Sequence, residues 1–337
     1  MRDADKYDDL ARALNRLTKA FGALSVNRRA LLAGSAALSA GSLFKPLPAK
    51  AVGTQYVSEI APGVFVHQGV HALADPVNMG NISNSTFIIG ADSVAVIDTG
   101  GSAITGQRLH DAIRSLTNRP VKYVINTHMH PDHVFGNAPF KAENPAYVAH
   151  HKMARGLSAR TDTYMKRNKE ALGEEAFKGI EIILPTQGVE GTTQLNLGGR
   201  VLELTAQKTA HTDNDLTVRD MTTNTVVLGD LLFSGHIPTI DGSIKGWIGV
   251  MDQLVTQPAA RVVPGHGPAS LGWPESANPL RHYLSTLVTD VRALLKQGKT
   301  ISDALASAGQ SEKNAWQLFD EFNARNASTA FAELEWE

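Results

Sequence analysis

The spacing of apolar and polar positions divides the chain into short strands and amphipathic helices. Gly63-Val64-Phe65-Val66-His67 predicts a first strand, and Ser85 to Ile89 and Val94 to Ile97 are β-branched, apolar runs. The turn Gly90-Ala91-Asp92-Ser93 joins that pair as a hairpin. Ile104, Leu109, Ala112, Ile113 and Leu116 recur at helical spacing, and Pro120 ends the segment. Val121 to Ile125 predicts a buried strand, Ala146 to Ala149 a short one, and residues 151 to 178 a polar, mostly helical insert. Leu202 to Thr205, Leu216 to Val218, Thr225 to Leu228 and Arg261 to Val263 predict further strands. Helices are predicted over Pro279 to Leu295, Ile301 to Ala306 and Glu312 to Asn326. Strand-rich halves with flanking helices indicate a layered α/β architecture, with chemistry expected in the loops at strand ends.

The first fifty residues follow a different pattern. A charged leader of about 24 residues precedes Asn27-Arg28-Arg29-Ala30-Leu31-Leu32, an apolar run of small residues to Phe44, and Ala49-Lys50-Ala51. This order is that of a twin-arginine (Tat) export signal, cleaved after residue 51, and it implies the Tat machinery as a partner and a periplasmic location. The alternatives are a helix of the mature fold or an uncleaved anchor, although the apolar run is shorter than the ~20 residues of a spanning helix. Residues 52–337 are then expected as one domain with C-terminal helices, carrying no stable membrane span. Residues 1–51 hold nine Lys/Arg and four Asp/Glu, so the remainder carries 23 basic against 29 acidic residues, a net of −6. That balance argues against a nucleic-acid partner. Cysteine is absent, so any metal must be held by imidazole and carboxylate.

One segment concentrates the candidate chemistry. Asn126-Thr127-His128-Met129-His130-Pro131-Asp132-His133 leaves the end of the buried strand Val121 to Ile125. His128 and His130 are two apart and point the same way on an extended backbone. Pro131 breaks the strand, so Asp132 and His133 can face a second position. Four ligand-type side chains in six residues are costly to bury without a partner, and a metal pair removes that cost. His211, Asp230 and His266 follow at later strand ends, the last between Gly265 and Gly267, where the backbone can approach closely.

In this order, H-x-H-x-D-H, then H, then G-D-x-L-F, then G-H-G, the chain resembles the metallo-β-lactamase superfamily over roughly residues 56 to 270. The resemblance implies a four-layer αββα sandwich. It implies a first metal held by His128, His130 and His211, a second by Asp132, His133 and His266, and Asp230 bridging both. Asp98, in Val96-Ile97-Asp98-Thr99-Gly100, matches the family's buried aspartate, which orients the ligand loop. An aspartate at 230, where the commonest lactamase subclass has cysteine, is similar to general hydrolases of the glyoxalase-II type. The segments Asn78 to Asn84, His236-Ile237-Pro238 and Asp241-Gly242-Ser243 resemble the exported "quinoprotein relay system" zinc metallohydrolases, a label of association that names no substrate.

Two Zn2+ ions are expected, with iron or manganese also compatible with the ligand types. Such a pair lowers the pKa of a bridging water, and the hydroxide attacks an ester, thioester, amide or related centre of a small molecule, with Asp132 and Asp230 as the catalytic carboxylates. The loops His71 to Asn84 and His236 to Trp247 and the insert near His150 and His151 are expected over the site, with His236 and Trp247 touching substrate. Two other readings share the ligand order: a mononuclear-iron sulfur dioxygenase, and a non-catalytic carrier in periplasmic quinoprotein or sulfur metabolism.

Overall fold

The computed structural model describes residues 56–337. The export-signal reading of residues 1–51 lies outside them. Twelve strands form two sheets in the described residues. The first sheet runs β1 (Ser58–Ala61), β2 (Val64–His67), β3 (Ser85–Ile89), β4 (Val94–Ile97), β5 (Val121–Ile125), β6 (Ala146–His150) and β7 (Gln187–Val189), in that spatial order. Its first four strands pair antiparallel and the last four parallel. The second sheet has the order β12 (Arg261–His266), β11 (Thr225–Phe233), β10 (Leu216–Asp220), β9 (Val201–Ala206), β8 (Thr192–Asn196), with only β11 and β12 parallel.

Alternation along the strands builds the layers. In β4, Val94 and Val96 face one way and Ala95 and Ile97 the other, and all four are fully buried. Ala95 and Ile97 join Val64, Val66, Ile88 and Ile125 against Leu202, Leu204, Val218, Val227 and Val263 of the second sheet, forming the core between the sheets. Val94 and Val96 instead meet Leu109, Ala112 and Ile113 of helix α1 (Ala103–Leu116). A reciprocal capping box starts that helix: Thr105 N–H donates to Ser102 Oγ at 3.2 Å and Ser102 N–H to Thr105 Oγ1 at 3.0 Å. A four-residue turn of helix, α2 (Pro131–Val134), and the long α3 (Met153–Phe177) follow. On the far side, Val226, Leu228 and Val262 are covered by α4 (Ile244–Leu254), α5 (Asn278–Lys296) and α7 (Phe319–Leu334), with α6 (Ile301–Ser307) beside them. The expected αββα sandwich is the observed fold.

Two expected elements differ. The helix expected over Glu312 to Asn326 begins only at Phe319. Gln317 interrupts it: its N–H donates to Gly235 O at 2.8 Å and its carbonyl accepts from Ile237 N at 3.0 Å, so these peptides pair with the 235–237 loop. Leu318 then takes a left-handed φ of 57° before the helix starts. The segment reaching Trp247, expected as a loop over the site, becomes α4 from Ile244 onward, capped by Ser243 Oγ, which accepts from Gly246 N at 2.9 Å. Its residues Ile244, Trp247, Val250, Met251 and Leu254 form one buried face.

Candidate metal centre

The carboxyl ends of the parallel strands β4, β5 and β6 open on the same edge of the sandwich as the ends of β11 and β12. All seven side chains singled out as ligands converge there. His128, His130, His211 and Asp230 form one group and Asp132, His133 and His266 another, the ligand-type atoms of each lying within 4.8 Å of one another. Asp230 divides its carboxylate between them. Oδ2 lies 3.6 Å from His128 Nε2 and 3.4 Å from His211 Nε2, whereas Oδ1 lies 3.1 Å from His133 Nε2 and 3.5 Å from His266 Nε2. Asp132 Oδ2 completes the second group, 3.2 Å from His266 Nε2 and 3.4 Å from His133 Nε2.

Every histidine of the set has its other ring nitrogen tied from behind. His133 Nδ1 donates to Asp98 Oδ2 at 2.8 Å, and His128 Nδ1 contacts Thr127 Oγ1 at 3.0 Å, a hydroxyl that itself donates to Asp98 Oδ2 at 2.7 Å. His211 Nδ1 donates to Thr239 O at 2.7 Å and His266 Nδ1 to Ile82 O at 2.9 Å. His130 is turned round: Nε2 donates to Asp241 Oδ2 at 3.1 Å, while Nδ1 faces His211 Nε2 at 3.0 Å. These outer bonds fix each ring's orientation and point its other nitrogen at the centre, where in the deprotonated ring it offers the lone pair that a metal ligand requires. His128 Nε2, His133 Nε2 and Asp230 Oδ1 are buried without a hydrogen-bond partner. Three orphaned acceptor-type atoms in one buried cluster are costly, and divalent cations satisfy them. The donor set, five imidazoles and two carboxylates, fits such ions.

The same burial divides the histidines electrostatically. Burial and the neighbouring His133 hold His128 well below its ordinary range, and burial holds His211 at about 3 despite the pull of Asp230. Burial also opposes charge on His266, but Asp230 and Asp132 outweigh it and lift the imidazole to about 9.

Local backbone explains how the carboxylate reaches the centre. Parallel register between β11 and β12 is interrupted on both sides of Gly229, whose φ is 54°. A Cβ there would lie 2.6 Å from Thr127 Oγ1. Across the break, Gly265 passes so close that a Cβ would sit 1.9 Å from Asp230 Oδ1. Glycine alone lets the two strand ends approach over the carboxylate. Asp98 itself takes φ 56°, an uncommon conformation for a non-glycine residue, and from it accepts Thr127 N–H at 2.8 Å.

A cavity of about 330 Å³ opens over the centre, with His130, Asp132, Asp230 and His266 in its floor. His236 lines its wall, its ring centroid 5.0 Å from that of His266. Trp247 does not reach it. The indole is fully buried, its N–H donates to Leu231 O at 3.1 Å, and its ring meets the His211 ring edge at 5.2 Å. The expected substrate contact is thus a prop behind His211, because α4 turns that side chain into the core. Sequence reasoning missed Asp241 as the holder of His130 and Asn84 as the clamp of the His266 loop. Asn84 Nδ2 donates to Pro264 O at 2.9 Å and its backbone N–H to Gly265 O at 2.7 Å. Both stand in segments quoted for the resemblance, but neither has a spacing signal of its own.

The model of the metallo-beta-lactamase superfamily matches residues 79–266, more than half of the chain. The chain belongs to that superfamily. All seven candidate ligands and Asp98 fall within the matched span. Among solved structures, this superfamily member is similar to the stereoselective inverting sec-alkylsulfatase from Pseudomonas sp., at 16% identity and TM-score 0.63 over 82% of this chain and 50% of that one. It therefore spans about half the length of that protein. It is also similar to the metallo-beta-lactamase from Pontibacter korlensis, at 20% identity and TM-score 0.55 over 68% of this chain and 98% of that one. The metallo-beta-lactamase from Hirschia baltica gives 18% identity and TM-score 0.52 over 68% and 96%. At these identities the likeness is one of fold. No curated protein matches the chain.

Proposed function

We propose that this protein is a two-zinc hydrolase of a small-molecule ester, thioester, amide or related compound. The observation that carries the reading is the division of the Asp230 oxygens between two complete groups of ligand atoms. His128, His130 and His211 would hold one ion, and Asp132, His133 and His266 the other, with Asp230 between them. When bound, such a pair supplies Lewis acidity and acidifies a water held between the ions. The chain's own residues do the rest. Asp132 lines the cavity, where its carboxylate can take the proton of the attacking water. Asp98, Thr239, Asp241 and the Ile82 carbonyl hold the rings against rotation, so the site is preorganised. His236, on the cavity wall, is a substrate contact in this reading. The export-type leader supports a periplasmic setting, in keeping with the resemblance to exported metallohydrolases.

Metal analysis of purified protein, combined with a panel of ester and thioester substrates, tests the proposal. Two equivalents of zinc per chain with turnover are expected. Asp230→Asn keeps the side-chain volume but removes the shared charge, and should weaken metal binding by a factor of ten to a hundred or more. One iron per chain with oxygen uptake on persulfides would replace this reading with the dioxygenase. Metal without turnover of any kind would leave the carrier.

A further inference from the structure

We infer that the substrate carries an oxyanion (a carboxylate, sulfate or phosphate group) separate from the bond that is cleaved, and that Arg160, Arg167 and Arg325 receive it. This rests on the hydrolase reading above and names the substrate class of that same site. All three arginines line the cavity over the metal centre, two from α3 and one from α7. Arg160, Thr163, Tyr164 and Arg167 all line it, and their spacing of three, four and seven puts them on one face of α3.

Of that face only Tyr164, half-buried, packs against a core cluster. The buried residues of α3 are Met153, Gly156 and Leu157 near one end and Leu172 and Ala176 near the other, and none lies between. The middle of the helix stands over the cavity and presents cations to it. Core formation therefore does not account for the arginines.

Local ion pairing does not account for them either. The nearest carboxylate is Asp241, 3.7 Å from Arg160 Nη2 and 3.5 Å from Arg325 Nη2. Those distances are well beyond the ~2.7–2.9 Å of a charge-assisted hydrogen bond. One oxygen of Asp241 is already taken by His130 Nε2 at 3.1 Å. Among the described residues Arg167 forms no ion pair. Two guanidiniums, each with five donors in a planar fork, thus share one partly committed carboxylate, and the third has none within ion-pair distance among the described residues. In the two-metal reading the ions offset Asp132 and Asp230, so the loaded cavity carries a clear positive excess. A second anionic group on the substrate is the partner of matching charge and geometry.

The lining also has an apolar part, Leu73, Ile82 and Phe322. It suits the carbon skeleton between the oxyanion and the reacting bond, so the cavity would orient a bifunctional molecule across the centre.

The test uses zinc-loaded protein and a matched pair of esters, 4-nitrophenyl butyrate and mono-4-nitrophenyl glutarate, which differ in charge at the far end of the acyl chain. The expected result is a kcat/KM ratio favouring the glutarate ester by about tenfold or more at low salt, falling as salt is added. Arg167→Gln, which leaves Asp241 untouched, should lower that ratio. The triple change Arg160→Gln, Arg167→Gln, Arg325→Gln should bring it close to unity, with metal content confirming that the variant folds. An equal ratio in the wild type, or an unchanged ratio in the triple variant, overturns the inference. If neither ester turns over, it is the hydrolase reading that fails, and calorimetric titration with glutarate, methyl sulfate and methyl phosphate decides the anion question alone. Loss of binding by about tenfold in the triple variant supports it, and the tightest of the three ligands identifies the oxyanion. No binding to the wild type, or equal affinity in the variant, refutes it.

Discussion

Asp230 depends on a residue that contributes no side chain at all. Gly265 lies where a Cβ would stand 1.9 Å from Asp230 Oδ1 and 2.9 Å from the Asp230 nitrogen. Gly265→Ala therefore forces either the carboxylate or the end of β12 to move. Overpacking of this kind costs about 1–3 kcal/mol. The larger effect should fall on function, because Asp230 faces both groups of ligand atoms. Zinc content should drop below one equivalent per chain and activity should be nearly lost, while the melting transition stays cooperative. Full zinc content in the alanine variant would show that the strand end yields without disturbing Asp230. Residues of this kind explain why the site was only partly legible in the sequence. The ligands announce themselves by residue type and order. His128, His130, Asp132 and His133 lie within six positions, and no apolar core explains them. Asp98 became visible through the family pattern. Asp241 did not, since an aspartate followed by glycine and serine reads as an ordinary turn, and only the fold brings it to His130.

At the scale of elements, the strands with two buried faces were the readable ones. β4 is a continuous apolar run and β11 nearly one, because each is buried along its whole length. The edge strand β8 escaped notice because its pattern Thr-Thr-Gln-Leu-Asn buries one residue only. α4 was misread because Gly246 and Gly249 depress helix propensity across a segment whose packing face is otherwise clear. Away from the metal site, the start of β9 is joined to the end of β10 by an ion pair. Arg200 Nε and Nη2 donate to the two oxygens of Asp220 at 2.9 and 2.7 Å, and Thr223 N–H adds a bond of 3.0 Å. Asp220 is fully buried. Burial raises its pKa, but the bonds from Arg200 and Thr223 outweigh that and hold it below the ordinary carboxylate value. A depressed carboxylate contributes stability that is present above the unfolded pKa and is lost as pH falls through the folded one. Asp220→Asn leaves Arg200 without its partner, and should cost about 3–5 kcal/mol at neutral pH. The gap to wild type should shrink as the pH falls below ~4 and on through the lowered folded-state pKa, where Asp220 is itself neutralised. Denaturant melts at pH 7 and pH 3 provide the measurement, and an equal deficit at both values would show that shape, not charge, is responsible.

At the scale of the whole molecule, the question is how much of the fold depends on the centre. The ligands come from both halves of the sandwich: His128 to His133 follow β5 of the first sheet, Asp230 lies within β11 of the second and His266 ends its β12. A bound ion pair would therefore tie the two sheets together at one edge. The core between the sheets does not need that tie, however. It is a continuous apolar layer running from Val64 and Ile97 to Leu204 and Val263, and none of its residues is among the seven ligands. Metal that binds only the folded chain stabilises it by about 4 kcal/mol at a thousandfold excess over Kd. For a domain of this size, each kcal/mol corresponds to about 2–4 °C in melting temperature. Chelation should thus lower the melting temperature by roughly 10 °C and leave the far-UV circular dichroism unchanged at 25 °C. Asp230→Asn, with affinity lowered ten- to a hundredfold or more, should start below the wild type by roughly a third to two thirds of that shift or more and respond correspondingly less to chelator. Unfolding of the wild type on chelation alone would mean that the layered core cannot stand without the centre. No shift, with metal removal confirmed, would mean that the seven side chains are held in place by their outer hydrogen bonds and gain nothing from an ion.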